Sequence, residues 1–454
     1  MTLPSWLTYA DVHDPPLRDA IESLLEDSGV QMHPWPTAFR CSLGLIIFQS
    51  VNEKLLSLIS QAQSHSSVLA LCVSSKPLSH PDLWKLIETG ALDVLQWPRL
   101  PETAEEVFNR LERWQALESM LSTPRIVNSL VGNSLAWRGV LRSVVEAAAF
   151  SNAPILIRGE SGTGKEQIAR LIHDLDPRPD KGDFVVVDCS TLSPELAGSE
   201  FFGHDRGAFT GAVGAREGAF SLAHRGTLFL DEVGELSPEL QARLLRVVQE
   251  HQFKRIGSNT WQHTDFRLVS ATHRDLERAI ADGSFRADFY YRIAGWPCST
   301  LPLSERREDI LPLAEHFVRE CLPGCDAVTI DPAVRDFLLT RDYPGNVRDL
   351  RQLVARICQR HPGQGPITVG DIAPADRGIA HGLASAWPDS SFHAAVRVAI
   401  EMGISMKDIS QRATELAIDM ALEREDGNLQ RAAARLGVTD RALQIRRASQ
   451  RSAA

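Results

Sequence analysis

The stretch PILIRGESGTGKE, residues 154–166, decides the fold of the middle of this sequence. The apolar run ILI stands directly before the pattern GxxxxGK, and the segment QIARLIH that follows has the spacing of a helix. A strand, a glycine-rich loop and a helix in this order form a phosphate-binding loop, because glycines let backbone N–H groups approach phosphate oxygens and the helix N-terminus faces their charge. We therefore predict an α/β domain that binds a nucleotide.

The loop and the first residues of its helix supply the candidate nucleotide-binding groups. We expect ATP to be held by Gly159, Glu160, Ser161, Gly162, Thr163, Gly164, Lys165 and Glu166. Among these, Lys165 is expected to reach the outer phosphates. Glu166 stands where a serine or threonine hydroxyl normally binds Mg²⁺, so metal binding must depend on a second motif.

The second motif is GTLFLDEVGEL, residues 226–236, in which an apolar strand ends in two acids. After a phosphate-binding loop, an acid at the carboxyl end of a strand binds Mg²⁺ directly or through water, and we assign this role to Asp231. The neighbouring Glu232 can polarise the attacking water. The two motifs together predict an ATPase that uses Mg²⁺.

The composition limits the class of protein in which this ATPase can occur. A chain of 454 residues is long enough for roughly three domains of about 150 residues each. Its net charge of -10 argues against a protein that coats nucleic acids with a generally basic surface. The 7 cysteines form no CxxC pair and no run of about 18 apolar residues is present, so we expect a cytoplasmic protein without membrane contact.

Shifts in pattern divide the chain into segments. Residues 1–112 alternate short apolar runs, among them LGLIIF, VLALCV and ALDVL, with helical spacing, which predicts a small parallel α/β domain. Residues 113–129 continue as a helical linker, and residues 130–374 hold the nucleotide motifs followed by an α-helical lid. Residues 375–392 form a second linker rich in small residues, and residues 393–454 are helical.

The last segment carries local positive charge. In NLQRAAARLGVTDRALQIRR, residues 428–447, a short amphipathic helix, a turn at Gly437 and a second, basic helix follow one another. From Gly427 onward there are 6 arginines and one acid, a local charge of +5. Contacts to DNA phosphates require such a patch. We predict that DNA is contacted by Thr439, Arg441, Gln444 and Arg446.

Motifs in a fixed order carry a family resemblance. They are GESGTGKE at 159–166, SEFFGHDRGAFTGA at 199–212, RGTLFLDEVGELSPELQARLLRVVQE at 225–250, FRADFYYRI at 285–293 and YPGNVRDLRQLV at 343–354. With them, the sequence from about residue 130 to residue 370 resembles the AAA+ activators of sigma-54 RNA polymerase, also called bacterial enhancer-binding proteins. The basic C-terminal segment resembles the Fis-type helix-turn-helix that ends many of these activators.

The resemblance implies roles that spacing alone leaves open. Glu166 fits it, because the loop of these activators commonly ends in KE. Arg286 and Arg292 match arginine fingers that act across a subunit boundary, and Arg348 matches a sensor in the lid. The family also implies self-association from a dimer to a hexameric ring, with the active sites between subunits.

Two positions depart from the family pattern. His273 stands where the first sensor is often an asparagine, and Asp188 stands where an asparagine often restrains the catalytic glutamate. Histidine and aspartate side chains are both able to form hydrogen bonds, so we expect tuned hydrolysis rather than none.

The segment HDRGAFTGAVG, residues 204–214, has one large apolar residue among glycines and alanines. Within the resemblance it is an insertion whose posture follows the γ-phosphate, because glycines tolerate unusual backbone angles. The resemblance implies that sigma-54 is contacted by Gly207, Ala208, Phe209, Thr210, Gly211 and Ala212.

Residues 1–112 resemble a response-regulator receiver that has lost its phosphorylation site. Asp11 and Asp14 lie where the acidic pocket is expected, but Gln49 and Ser50 follow the third apolar run where a receiver has its acceptor aspartate. The position of the receiver's lysine reads Gln96 or Trp97. We expect this domain to serve in dimerisation, protein contact or ligand sensing instead of phosphorylation.

A cyclic dinucleotide is an alternative input signal. Arg125 and Arg170 are the candidate guanidinium groups that would stack on or pair with its guanine bases.

The sequence thus favours a sigma-54-dependent transcription regulator that binds upstream promoter DNA and uses ATP hydrolysis to remodel sigma-54 RNA polymerase. Two other functions stay open at this point. One is an AAA+ remodelling chaperone, and the other is a DNA-binding regulator that uses ATP only for assembly.

Overall fold

The computed structural model describes residues 3–35, 42–63, 66–97, 101–323, 328–363, 365–377, 390–425, 428–438 and 443. The chain forms two compact units, Met1–Ala373 and Pro374–Ala454. The first unit contains two five-stranded sheets. In the described part of the second unit, the regular structure is helical.

The N-terminal residues of the first unit form a parallel α/β fold. Its elements are β1 Leu3–Tyr9, α1 Pro15–Asp27, β2 Val30–Pro34, β3 Leu43–Phe48, α2 Glu53–Ala62, β4 Ser67–Cys72, α3 His80–Thr89 and β5 Asp93–Gln96. The parallel strands lie in the order β2-β1-β3-β4-β5. β3 and β4 are buried along their whole length, which explains their continuous apolar runs, because both faces of a parallel sheet are covered. The predicted α/β class is confirmed.

Three helices lead from this sheet to the second one: α4 Pro101–Leu121, α5 Pro124–Ser129 and α6 Leu135–Phe150. Helix α4 crosses residue 112 without a break. Trp114 on this helix packs against the apolar core of the N-terminal sheet and also against the core behind the second sheet. The N-terminal domain is therefore joined to the rest of the first unit by a packed helix.

The second sheet carries the nucleotide motifs. Its segment consists of β6 Ile155–Arg158, α7 Lys165–Leu175, β7 Phe184–Asp188, α8 Pro194–Phe202, α9 Ala219–Leu222, β8 Thr227–Asp231, α10 Pro238–Glu250, β9 Gln252–Phe253, β10 Gln262–His263, β11 Arg267–Thr272, α11 Leu276–Ala281, α12 Ala287–Ile293 and β12 Trp296–Ser299. The parallel strands lie in the order β12-β6-β11-β8-β7, and β9 and β10 form a separate antiparallel pair. Because β6, β11 and β8 are neighbours, the residues at their carboxyl ends meet at one edge of the sheet.

The lid follows the second sheet. It contains α13 Ile310–Cys321, α14 Pro332–Thr340 and α15 Asn346–Arg360. The buried side chains of α13 and α15 recur at three- and four-residue spacing, which places one apolar stripe of each helix in the interior. This agrees with the predicted α-helical lid.

The second unit contains α16 Ser390–Glu401, α17 Met406–Arg424 and α18 Leu429–Arg435. Asn428 caps α18 by accepting hydrogen bonds from two backbone N–H groups of its first turn. A small core is formed by Ile418, Ala421, Ala432, Ala433 and Leu443. The four predicted DNA contacts, Thr439, Arg441, Gln444 and Arg446, lie outside the described residues. Among the described helices, none combines the length and the apolar character needed to cross a bilayer.

Candidate functional site

The phosphate-binding loop connects β6 to α7. Gly159, Gly162 and Gly164 all have positive φ angles, of 151°, 79° and 104°. A Cβ atom on Gly159 would lie 1.8 Å from Thr300 Oγ1, and one on Gly162 would lie 2.2 Å from Gly345 O. Glycine is therefore needed at these two positions both for the backbone angle and for the close approach of neighbouring segments.

A cavity of about 460 Å³ lies over this loop, within the size range of small-molecule sites. It brings together most of the predicted nucleotide site, because the loop, the acid pair and the lid all contribute to its wall. Among its lining residues are Ser161, Gly162, Thr163, Gly164, Lys165, Glu166, Asp231, Glu232 and Arg348.

Lys165 is the first residue of α7, and its side chain is buried at the floor of this cavity. Its Nζ donates to the carbonyl oxygens of Gly159, at 2.9 Å, and Glu160, at 3.4 Å. Nζ also lies 3.3 Å from Glu232 Oε1. The ammonium group thus bridges the loop and the acid at the end of β8.

Asp231 is the last residue of β8 and lies beside Asp188, its register partner on β7. Burial, and then the charge of Glu232, raise the pKa of Asp231 above its ordinary value, although Lys165 acts in the opposite direction. A half-buried carboxylate among other acids gains from a nearby cation. The donor chemistry at Asp231 therefore fits Mg²⁺.

Glu232 follows with a φ of 50° and turns its carboxylate toward β11. Oε2 accepts a hydrogen bond from the backbone N of His273 at 3.1 Å and lies 2.7 Å from His273 Nδ1. Burial favours the neutral acid, but the His273 hydrogen bonds and the charge of Lys165 outweigh burial and lower the pKa of Glu232. Glu232 is therefore ionised, and Nδ1 of His273 is the donor.

The structure differs from the expectation for Asp188. Its carboxylate accepts from the backbone N of Ser190 at 2.9 Å and from Ser190 Oγ at 2.6 Å. Both of these bonds are to Ser190, and neither is to Glu232. The restraint on the glutamate that was expected from this position is made by His273 instead.

The three predicted arginines lie in two different places. Arg348 is at the cavity, where its backbone N donates to Gly162 O at 3.3 Å and its Nη1 donates to Ser161 Oγ at 3.1 Å. Arg286 and Arg292 are exposed and do not line the cavity of their own chain. Arg286 pairs with Asp288 at 2.7 Å, and Arg292 donates to the carbonyl of Val248 at 3.0 Å.

The segment 207–212 forms a short turn. Just before this turn, the backbone of His204 forms β-bridges with Arg216 and with Ile256. In the turn, Gly207 N donates to Ala212 O and Ala212 N donates to Phe209 O, both at 3.0 Å. The ring of Phe209 meets the His204 ring edge-on at 4.9 Å between centroids and remains 41% exposed. Phe209 is therefore held in a defined position without entering a core.

In the N-terminal sheet, two of the residues compared with a receiver site, Asp11 and Gln96, form hydrogen bonds with neighbouring groups. The Asp11 carboxylate accepts from the backbone N of Gln49 at 2.7 Å, from the backbone N of Ser50 at 2.9 Å and from the Ser50 hydroxyl. Gln96 Nε2 donates to the carbonyls of Ser74 and Lys76 at 3.2 and 3.0 Å. Among the described residues, no group of three or more His, Cys, Asp and Glu side chains is placed to hold a metal ion by itself.

Arg125 and Arg170 both pair with acids of α7. Arg125 lies 2.8 Å from Asp174, and Arg170 lies 2.8 Å from Glu166. The described residues therefore give no support to a cyclic dinucleotide at these two arginines.

Three residues of the site were not found from the sequence. Arg306 and Trp137 line the cavity, with the guanidinium 4.0 Å above the indole ring, and burial lowers the pKa of Arg306 to about 10. Asn346 donates from Nδ2 to the Glu160 carboxylate. Arg306 and Trp137 stand in no spacing pattern typical of a nucleotide site, but a conformationally tolerant Asn directly after Pro-Gly was a usable signal for Asn346.

Comparisons with known proteins agree with this site. The family model described as the Sigma-54 interaction domain matches residues 130–299, and the model described as the AAA+ ATPase lid domain matches residues 304–382. The Nif-specific regulatory protein of Herbaspirillum seropedicae is 48% identical over 247 residues, which is 54% of this chain and 45% of the relative. The chain therefore matches less than half the length of that relative.

Two further proteins match over more of their length. The transcriptional regulatory protein ZraR of Klebsiella oxytoca is 38% identical over 376 residues, covering 79% of this chain and 77% of the relative. The crystal structure of NtrX from Brucella abortus aligns with a TM-score of 0.50 and 26% identity, covering 99% of each chain.

Proposed function

The chain belongs to the sigma-54-dependent transcription activators with an AAA+ domain, and we propose on this basis that it hydrolyses ATP to remodel sigma-54 RNA polymerase at promoters. One observation supports the proposal above all others. A single cavity is lined by the phosphate loop, the acid pair Asp231 and Glu232, and the lid residue Arg348.

In the proposed reaction, each part of the cavity acts on a different part of ATP. The loop amides and Lys165 bind the phosphates. Asp231 would hold Mg²⁺, and the ion would supply positive charge that neutralises the phosphates. Glu232 accepts a proton from the attacking water, with His273 orienting its carboxylate through the 2.7 Å contact.

The two exposed arginines supply the part of the site that one chain lacks. We infer that Arg286 and Arg292 reach the ATP of a neighbouring subunit in a ring, because neither lines the cavity of its own chain and a guanidinium stabilises the charge of phosphoryl transfer. Arg348 performs the corresponding role from the lid of the same chain. Hydrolysis thereby depends on self-association, which is expected to proceed from a dimer to a hexamer.

The proposed output is contact with sigma-54 through residues 207–212, and its support is the exposed, hydrogen-bonded turn that presents Phe209. Upstream DNA is bound by residues 393–454, because their arginine-rich end offers a charge of +5. The remaining assignments are a regulatory domain at 1–112, linkers at 113–129 and 375–392, and the ATPase at 130–374. Because the proposed reaction takes place at promoters, we propose that the protein is located in the cytoplasm.

The experiment that tests this function uses the purified chain, ATP and a sigma-54 promoter. The protein should hydrolyse ATP, bind sigma-54 while a transition-state analogue of hydrolysis occupies the site, and open the promoter. Hydrolysis with neither sigma-54 binding nor promoter opening would contradict the proposal and favour a chaperone of the same fold. Nucleotide binding and DNA binding without turnover would favour a regulator that uses ATP only for assembly.

A further inference from the structure

Asn346 opens helix α15 of the lid in a conformation that few residues adopt. It is buried, with 1% of its surface exposed, and its φ is 52°. Glycine takes such left-handed angles freely, asparagine tolerates them best among the other residues, and branched or bulky residues avoid them. The position therefore accepts few residue types for backbone reasons alone.

Both polar atoms of the Asn346 side chain also form hydrogen bonds. Its Oδ1 accepts from the backbone N of Leu303 at 2.8 Å. Its Nδ2 donates to Glu160 Oε2 at 2.9 Å and to Ser161 O at 3.1 Å. Aspartate has no hydrogen for the second pair of bonds and glycine has no side chain, so neither satisfies both the angle and the contacts as asparagine does.

These hydrogen bonds join segments that are far apart in the sequence. Leu303 begins the short 3₁₀ turn Leu303–Glu305 between the second sheet and the lid, whereas Glu160 and Ser161 belong to the phosphate loop. The start of α15 makes further contacts with the same loop, since Arg348 bonds to Ser161 and Gly162. The lid therefore forms direct hydrogen bonds with loop residues 160–162.

We propose that Asn346 is a positioning residue that holds the phosphate loop ready for ATP and couples the loop to the lid. The reason is the carboxylate of Glu160, which stands in a loop that must receive polyphosphate. The amide of Asn346 donates a hydrogen bond to Oε2 of Glu160. This bond holds the Glu160 carboxylate beside the lid and away from the phosphates. A loop that is already ordered also loses less conformational freedom when ATP binds.

Asn346→Gly tests the proposal without adding backbone strain, because glycine accepts the φ of 52° while losing all three side-chain bonds. We expect the Kd for a fluorescent ATP analogue to rise about tenfold, since two bonds to the loop are lost and one of them is to a charged group. The kcat at saturating ATP should stay within about threefold of the wild-type value, because Lys165, Asp231 and Glu232 are untouched.

An exchange of donor and acceptor separates positioning from a general loss of stability. Asn346→Asp places a second carboxylate beside Glu160 and should weaken ATP binding more than Asn346→Gly does. Adding Glu160→Gln to that variant supplies an amide donor opposite Asn346→Asp and should recover at least about threefold of the lost affinity. Glu160→Gln alone keeps an oxygen acceptor for Asn346, so its Kd is the reference value against which the recovery in the double variant is measured.

The inference rests on the ATP site proposed above, and the two fail in different ways. If the wild-type protein binds no ATP analogue, the proposed function is wrong and this inference falls with it. If the wild type binds and Asn346→Gly binds within twofold of it, the inference alone is wrong. A fall in kcat as large as the rise in Kd, or no recovery by Glu160→Gln, would show a merely structural role and would also overturn it.

Discussion

The carboxylate of Glu232 lies between a lysine and a histidine whose roles differ once ATP is present. Lys165 Nζ lies 3.3 Å from Oε1, whereas His273 holds Oε2 through both its backbone N and its ring. Lys165 is expected to move to the phosphates when ATP binds, which frees Oε1 to accept a proton from water. His273 then remains as the group that orients the base.

His273→Ala should therefore lower kcat by about tenfold with little change in the KM for ATP, because the base is still present but is no longer held. His273→Asn, which keeps an N–H donor, should recover part of the loss. Asp188→Ala is the matched control, since Asp188 bonds to Ser190, and its kcat should stay within about threefold. Steady-state ATPase assays decide this, and a fall in Asp188→Ala equal to that in His273→Ala would contradict the assignment.

Lys165→Ala and Glu232→Gln should separate binding from turnover. The lysine variant should lose nucleotide binding, because Nζ is the group that reaches the outer phosphates. The glutamine variant should bind ATP and hydrolyse it at least about a hundredfold more slowly, because an amide cannot take the proton of the attacking water. Equilibrium binding and ATPase rates measured on the same samples provide the check. Equal losses of both properties in both variants would show that the roles are wrongly divided.

The residues of the phosphate loop could be identified from the sequence because their geometry is local. Glycines at 159, 162 and 164 stand within one turn of chain, and their positive φ angles follow from that turn. The contact between Glu232 and His273 could not be predicted in the same way, although each residue was a candidate. These residues come from the ends of β8 and β11, and only the register of neighbouring strands brings them together.

At the scale of elements, helix α4 and helix α6 connect the N-terminal sheet to the ATPase region. Arg142 on α6 has 17% of its side chain exposed, donates to Glu118 Oε1 on α4 at 2.9 Å, and also donates to the hydroxyl of Ser67 at the start of β4. Its guanidinium lies over the ring of Trp114, with 5.6 Å to the ring centre. One arginine thus contacts both the N-terminal sheet and the helix that follows it.

Arg142→Ala should lower the free energy of unfolding of the first unit by about 2 kcal/mol, because it leaves the mostly buried Glu118 without its nearer partner. Arg138 is the matched control on the same helix. It is 59% exposed and lies 3.7 Å from the same carboxylate, so Arg138→Ala should cost less than about 1 kcal/mol. Urea unfolding followed by fluorescence measures both changes. Equal effects of the two substitutions would contradict the role given to Arg142.

The sequence predicts a helical linker over residues 113–129, and the structure contains α4 from Pro101 to Leu121 and α5 from Pro124 to Ser129. The apolar spacing was sufficient to find the helix, because α4 buries one stripe against the sheet. The same spacing gave no sign that Trp114 would pack into two cores, since that depends on the position of a second sheet far along the chain.

At the scale of the whole molecule, the described part of the second unit has a small apolar core. In its described part, five buried side chains form the core, whereas Val398, Ile400, Met402, Met406, Leu416 and Met420 on or beside α16 and α17 are exposed. A small domain buries a limited fraction of its surface and is marginally stable alone. These exposed side chains support the proposed self-association.

Deletion of residues 415–454 should remove specific DNA binding and leave ATP hydrolysis intact at high protein concentration. The deletion takes away the second half of α17, all of α18 and the arginine-rich end, whereas every residue that lines the ATP cavity lies before residue 352. Gel-shift titration at several salt concentrations and ATPase rates would be measured on the same preparation. Retained binding to the promoter site would show that another segment reads the DNA.

The ATPase region could be assigned from the sequence because its motifs come in a fixed order over one continuous segment. The DNA-reading residues rest on charge and pattern alone, because Thr439, Arg441, Gln444 and Arg446 lie outside the described residues. Ring formation depends on contacts between copies of the chain, which no pattern within one chain determines.

The central claim is that ATP hydrolysis acts on sigma-54 through the exposed turn at residues 207–212. Promoter opening by Phe209→Ala tests it most directly, with Val213→Ala as a matched control, since Val213 is an 85% exposed apolar side chain just beyond the turn. We predict that Phe209→Ala keeps at least about half of the ATPase rate and opens no sigma-54 promoter. Val213→Ala should keep the ATPase rate and should also open the promoter. Promoter opening by Phe209→Ala at the wild-type level would contradict the claim.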